Sequence, residues 1–158
     1  MTTLDLSSYP LFIGIDSADL VIMSAYLKPV QFAEGAYLFV QGDQADCMYL
    51  IEQGSVEVIN RLSDETQVQL AVRQEGDSIG EMSLIDTHIR SASVRALESV
   101  HGFKLSADDL QRIRTSDTDL YIQIIINIAR EISHRLRAVD ETSGCSLFAD
   151  NCTDNDRY

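Results

Sequence analysis

Hydrophobic and polar positions divide the chain into stretches of different period. Near the start, Asp16 or Ser17 can cap a helix that carries Leu20, Met23 and Leu27 on one face. After Pro29 the period becomes two: Val56 and Val58 alternate with polar residues, as do Val68, Leu70 and Val72. Alternation of this kind marks half-buried strands. Turn signals at Glu34-Gly35, Gly42-Asp43, Gln53-Gly54, Ser63-Asp64 and Gly76-Asp77 recur at short, even intervals. Two further strands fit "RSASVRALE" and "VHGFKLS". Short strands spaced like this predict an antiparallel β-roll or jelly-roll.

The helical period then returns. Ser106-x-x-Asp109 has the form of a capping box before "LQRIR", and a second helix is predicted over 118–139. Along it Ile125, Ile128, Ile132, Arg135 and Val139 follow a 3,4 spacing. That spacing makes a narrow seam, read either as packing on the helix's own domain or as a homodimer contact, and the dimer is the more economical. The fold class is therefore α+β: a β-roll flanked by an N-terminal helix and C-terminal helices, the last one long. Residues 1–141 form one domain. Residues 142–158 are expected to be a disordered acidic tail, since the last nineteen residues, "DETSGCSLFADNCTDNDRY", show no period and carry five acidic residues against one basic.

Composition narrows the function classes. The chain has 158 residues, 45% of them hydrophobic, and a formal net charge of −13. Such a balance opposes long-range attraction to a phosphate backbone, so no nucleic-acid partner is expected. No apolar run approaches a membrane span and "MTTLDLSSYP" has no signal-peptide character, so the expected location is the cytoplasm with no membrane partner. Cys47, Cys145 and Cys152 form no CxxC pair, and Cys47 in "CMYLI" reads as a small buried hydrophobe. His88, His101 and His134 have no partners at metal-ligand spacing, and no hydrolase, P-loop or dinucleotide fingerprint is present. Neither catalysis, nor a cofactor, nor a metal is expected. A small cupin-like enzyme would need a His/Glu set that the strands do not carry.

One stretch, "IGEMSLIDTHIRSAS", does carry chemistry. Gly80 gives a permissive backbone, and a short turn after it would offer the amides of Met82 and Ser83 to an anion. Arg90 can bring a forked guanidinium to the same point. Glu81 would repel a phosphate, but it suits a sugar hydroxyl. Phosphate plus ribose in one cassette indicates a nucleotide with a single phosphate.

Here the chain resembles the cyclic nucleotide-binding domain family, which includes the catabolite activator protein-like sensors. The resemblance runs from about residue 10 to 141. It rests on Gly80-Glu81-Met82-Ser83-Leu84 followed by Arg90-Ser91-Ala92-Ser93-Val94, and on Gly35, Gly42-Asp43, Met48-Tyr49-Leu50-Ile51 and Gly54. It implies that Glu81 binds the ribose 2′-hydroxyl, and that Arg90 neutralises the cyclic phosphate with Ser91 and the backbone near Met82 and Ser83. It further implies that Val58 and Leu70 line the base pocket while the long helix brings Arg135 and Leu136 to the purine edge. Ile89 stands where many members have proline. Ser91 after the arginine fits cyclic AMP, with cyclic GMP the other candidate. No helix-turn-helix follows the long helix, so the expectation is a sensor acting on an unknown protein partner. The alternative is a degenerate fold in which Glu81 and Arg90 only stabilise a turn and the domain binds a protein.

Overall fold

The computed structural model describes residues 5–86 and 88–149, the last ten of them as backbone only. Helix α1 spans Ser17–Ser24, and Asp16 is the residue that caps it, its Oδ1 accepting from the Asp19 amide at 2.9 Å. Eight strands follow among the described residues: β1 Lys28–Phe32, β2 Tyr37–Phe39, β3 Cys47–Gln53, β4 Ser55–Arg61, β5 Gln67–Gln74, β6 Ser78–Ile79, β7 Ser93–Ala96 and β8 Val100–Ser106. They form two four-stranded antiparallel sheets, in the orders β1-β8-β3-β6 and β2-β7-β4-β5. Each expected turn falls between two of these strands. Gly54 shows why one of them demands glycine: its φ is +93°, and a Cβ there would stand 2.5 Å from the Ser99 carbonyl oxygen.

The strands alternate as expected through β4, but not through β5. Val58 pairs with Ala71 and Ile59 with Gln69, so Leu70 is the extra residue of a β-bulge. The bulge flips the facing of β5. Val72 then stands opposite Glu57 on the outer face, and Val68, Leu70 and Val72 are all exposed rather than half-buried. A free edge permits this, because β5 ends its sheet.

Helix α2 spans Ala107–Ser116, with the Ser106 hydroxyl accepting from the Asp109 amide at 3.1 Å as the capping pattern implied. Asp117 closes α2 and opens the next helix, its Oδ1 accepting from the Leu120 amide at 3.0 Å. Helix α3 runs over Thr118–Ala149, ten residues past its expected end. This corrects the tail over 142–149, where a formed helix propagates at low cost through residues of weak helix propensity around Gly144; residues 150–158 lie outside the described residues. No helix among the described residues is long and apolar enough to cross a membrane.

The seam of α3 also needs correction. Ile128 is 0% exposed and packs with Leu11, Phe12 and Leu110 in the chain's own core, and Ile125 and Ile132 pack against the same cluster. Burial of one such side chain stabilises by about 2 kcal/mol. Ile122, Ile126, Ala129 and Leu136 are exposed and form a stripe rotated by one residue from the expected one, while Val139 is the member of the expected seam that stays exposed. A second core of Leu38, Ile51, Val56, Ile79, Val94, Ala96 and Val100 fills the roll and supports the cassette from beneath.

Candidate functional site

Gly80 starts the site because it alone can adopt the required backbone. Its φ of 77° is left-handed, and it opens a 3-10 turn over Glu81–Leu84. A Cβ at this position would stand 2.6 Å from Arg90 Nη1 and 3.3 Å from the Cys47 carbonyl oxygen. The glycine therefore admits the arginine as well as the turn.

Arg90 is buried, its side chain 4% exposed. Nη2 donates to the Cys47 carbonyl at 2.7 Å, Nη1 donates to Ser83 Oγ at 2.8 Å, and the Phe39 ring lies 4.0 Å beneath the guanidinium. Backbone bonds from Gly42 N to Arg90 O and from Arg90 N to Asp43 O fix the strand entry. The nearby carboxylate oxygen, Asp46 Oδ1, is 4.0 Å away and beyond hydrogen-bond reach. The direct hydrogen-bond partners of Arg90 are neutral, so the buried guanidinium is balanced only by the exposed Asp46 carboxylate at 4.0 Å. Burial pushes the Cys47 thiol above its ordinary pKa, so this neighbour stays protonated and supplies no counter-charge.

Glu81 faces the same cleft with a side chain 6% exposed. Its Oε1 accepts from Arg135 Nη1 at 2.6 Å, while Arg135 Nη2 donates to the Ser78 carbonyl at 2.8 Å and its Nε to Glu131 Oε1 at 3.0 Å. One arginine thus ties α3 to β6 and the cassette. Two buried side-chain polar atoms among the described residues have no partner: Glu81 Oε2 and Arg90 Nε. Buried groups of this kind are nearly always satisfied in a folded chain. Both belong to the cassette.

The cleft has a volume of about 1390 Å³. Gly80, Glu81, Met82, Ser83, Arg90, Ser91, Ala92, Val58, Leu70 and Arg135 all line it, which brings together ten of the eleven residues singled out in the sequence. Leu136 does not line it. It follows Arg135 by one residue, about 100° around the helix, and points to solvent with 61% exposure. Ala138 and Val139, one turn beyond Arg135, take the place expected of it. The Ser83 amide is also not free, since it donates to the Gly80 carbonyl within the turn at 3.1 Å. Its hydroxyl accepts from Arg90 and reaches the Cys47 and Gly80 carbonyls. Ser91 and Ala92 line the cleft and make no hydrogen bond to another described residue. Phe39, Ala71 and Arg73 are lining residues that sequence reasoning missed. For Phe39 a signal existed, an aromatic just before the Gly42-Asp43 turn. Among the described residues no cluster of His, Cys, Asp and Glu is arranged to hold a metal.

The chain is similar in sequence and fold to known proteins. The sequence model described as "Cyclic nucleotide-binding domain" matches residues 29–117. The chain is 24% identical over 140 residues to the CRP-like cAMP-activated global transcriptional regulator of Mycobacterium tuberculosis, covering 89% of this chain and 61% of that protein. It is 30% identical over 132 residues to the cyclic AMP receptor protein of Thermus thermophilus, covering 83% and 59%. The chain thus spans about three fifths of the length of these relatives. The crystal structure of the Thermus thermophilus catabolite activator protein superimposes with a TM-score of 0.77 at 27% identity, covering 88% of this chain and 63% of that one.

Proposed function

Because this chain belongs to the cyclic nucleotide-binding domain family, we propose that its cleft binds a cyclic nucleoside monophosphate, with cyclic AMP as a ligand, and that α3 passes the occupancy to a partner. The observation that carries this reading is the pair of unmet atoms, Glu81 Oε2 and Arg90 Nε. A cyclic phosphate brings one negative charge and acceptor oxygens to Arg90 and to the amides of Ser91 and Ala92. A ribose 2′-hydroxyl donates to Glu81 Oε2. The base then rests on Val58, Leu70 and Ala71, with Val139 above it. The names of the mycobacterial and Thermus relatives support cyclic AMP over other ligands.

The role is regulatory binding rather than catalysis, in the cytoplasm. Arg135 couples the two parts, since it holds the carboxylate that the sugar must reach. Ligand that alters Glu81 alters the tether of α3, which biases the position of the helix. The exposed stripe of Ile122, Ile126, Ala129 and Leu136 suits a second copy of the chain, packed helix to helix. A downstream protein partner would read that arrangement.

Calorimetric titration with cyclic AMP tests the ligand. Heat of binding and a raised melting temperature are expected, because a ligand selective for the folded state stabilises it by mass action. Neither effect at millimolar cyclic AMP would leave the fold as a protein-interaction module without ligand. Light scattering tests the dimer: Leu136→Asp should give a folded monomer, and a parent already monomeric refutes the assembly.

A further inference from the structure

Arg90 is held by neutral groups, and one of them is an aromatic ring. Its donors are fixed at two points, Nη2 on the Cys47 carbonyl at 2.7 Å and Nη1 on Ser83 Oγ at 2.8 Å. Phe39 covers one face of the guanidinium, with 4.0 Å between its ring centroid and Cζ. That ring is itself braced. It stacks on Tyr49 with centroids 6.3 Å apart, and Tyr49 meets Phe32 edge to face at 5.6 Å. Phe39 ends β2, where it pairs with Val94 of β7 on the strand that Arg90 leads into. Gly80 leaves room for the ring as well, since a Cβ there would stand 3.4 Å from Phe39 Cε1. The Asp46 carboxylate stands 4.0 Å from Nη2, with a side chain 73% exposed.

We propose that Phe39 is a positioning residue for the phosphate: its ring holds the Arg90 guanidinium in the plane that leaves Nε unmet, and keeps it from closing on Asp46. This rests on the cyclic nucleotide reading above. A cation over a ring face is attracted by the ring quadrupole, most strongly where water is excluded. Arg90, buried in the cassette, is such a site. Two hydrogen bonds fix the donors but leave the plane free to tilt about the line that joins them. The ring fixes that tilt. Without it the guanidinium can swing to Asp46, and an anionic ligand must then displace a carboxylate before it binds. Apparent affinity falls by the fraction of molecules left in the binding geometry.

The test is a double-mutant cycle read by calorimetric titration with cyclic AMP, over the parent, Phe39→Leu, Arg90→Gln and the double variant. Phe39→Leu should weaken binding by about 10-fold, the scale of a desolvated cation–ring contact. Phe39→Tyr keeps the ring and should stay within about threefold of the parent. In the Arg90→Gln background, Phe39→Leu should change affinity by less than about twofold, because no charge is left to position. Adding Asp46→Asn to Phe39→Leu should restore most of the lost affinity. Should Phe39→Leu fail to fold, Phe39→Met, closer in bulk, takes its place throughout. Equal losses in the two Arg90 backgrounds would mean that the ring only packs, and would overturn the positioning role. So would an undiminished affinity in Phe39→Leu, a tyrosine variant as weak as the leucine one, or no recovery with Asp46→Asn. These outcomes leave the cyclic nucleotide reading in place. A parent that does not bind cyclic AMP would overturn that reading, and the inference with it.

Discussion

Two buried glutamates on opposite sides of the roll each meet an arginine, and they differ in what is left over. On the outer face of β4, Glu57 Oε1 accepts from Arg95 Nε at 2.8 Å and from Arg95 Nη2, and Oε2 accepts from Gln69 at 2.8 Å. In the cleft, Glu81 Oε1 accepts from Arg135 and Oε2 accepts from nothing. The arginines differ likewise. Arg95 meets a carboxylate, while Arg90 meets carbonyl and hydroxyl oxygens and keeps an unmet Nε. An ion pair alone therefore does not mark a site, since such pairs also serve as plain structure. What separates the cleft is polar capacity that the protein itself does not use.

The largest effect should come from the arginines. Arg90→Ala removes the charge that a buried phosphate would meet, and cyclic AMP affinity should fall by about 30-fold, roughly 2 kcal/mol. Arg95→Ala should leave affinity within about twofold and lower the melting temperature instead. Calorimetry on both variants checks the contrast. Comparable affinity losses for the two would break it.

The glutamates should follow with a smaller gap. Glu81→Gln keeps the shape but weakens an acceptor for the ribose hydroxyl, so affinity should drop about 10-fold, the scale of one charged hydrogen bond. Glu57→Gln should not change affinity. Binding of 2′-deoxy cyclic AMP sharpens the point, because Glu81→Gln should no longer matter for a ligand without that hydroxyl.

Much of the cleft was legible because its parts lie close together in sequence. Gly80, Glu81 and Arg90 sit within one short cassette, and the backbone demand at Gly80 is local. The α3 face was not legible in that way. Ile128 faces inward because the segment around Leu11 and Phe12, more than a hundred residues away in sequence, packs under the helix. Periodicity located an apolar stripe but could not say which of two adjacent stripes would find that partner. On the same helix the cleft is lined by Ala138 and Val139 rather than by Leu136, because its lining continues one turn beyond Arg135. In β5 the bulge at Leu70 inverted an alternation that looked regular. Arg73 carries no motif, and only the pairing of β5 with β4 sets it beside Val58 and Ala71 in the cleft lining.

Arg135 sharpens the comparison from the helix side. Its removal leaves the Glu81 carboxylate buried without its partner and frees α3 from β6. Arg135→Ala should cost about 1 kcal/mol of stability. Amide hydrogen exchange should rise over residues 130–139 and stay unchanged in β4 and β5. Exchange unchanged throughout would mean that α3 is held by its other contacts and that the tether does not control it.

The smallest expected effect is the pH dependence of the outer pair. Hydrogen bonding from Arg95 holds the Glu57 carboxyl below its ordinary pKa, with Gln69 adding to the effect against the opposing pull of burial. A carboxyl with a depressed folded pKa contributes stability that is fully present above the unfolded value, about 4.3 for glutamate. That contribution is lost as pH falls through the lower, folded value, because protonation then costs the native state its pair. Urea midpoints of the parent should therefore decline more steeply than those of Glu57→Gln as pH drops below about 4. The two should run parallel from pH 5 to 8, where Glu57 is ionised in both the folded and the unfolded chain. Parallel curves below pH 4 as well would show that Arg95 gives Glu57 no net stabilisation, and the outer pair would cease to be the satisfied member of the comparison.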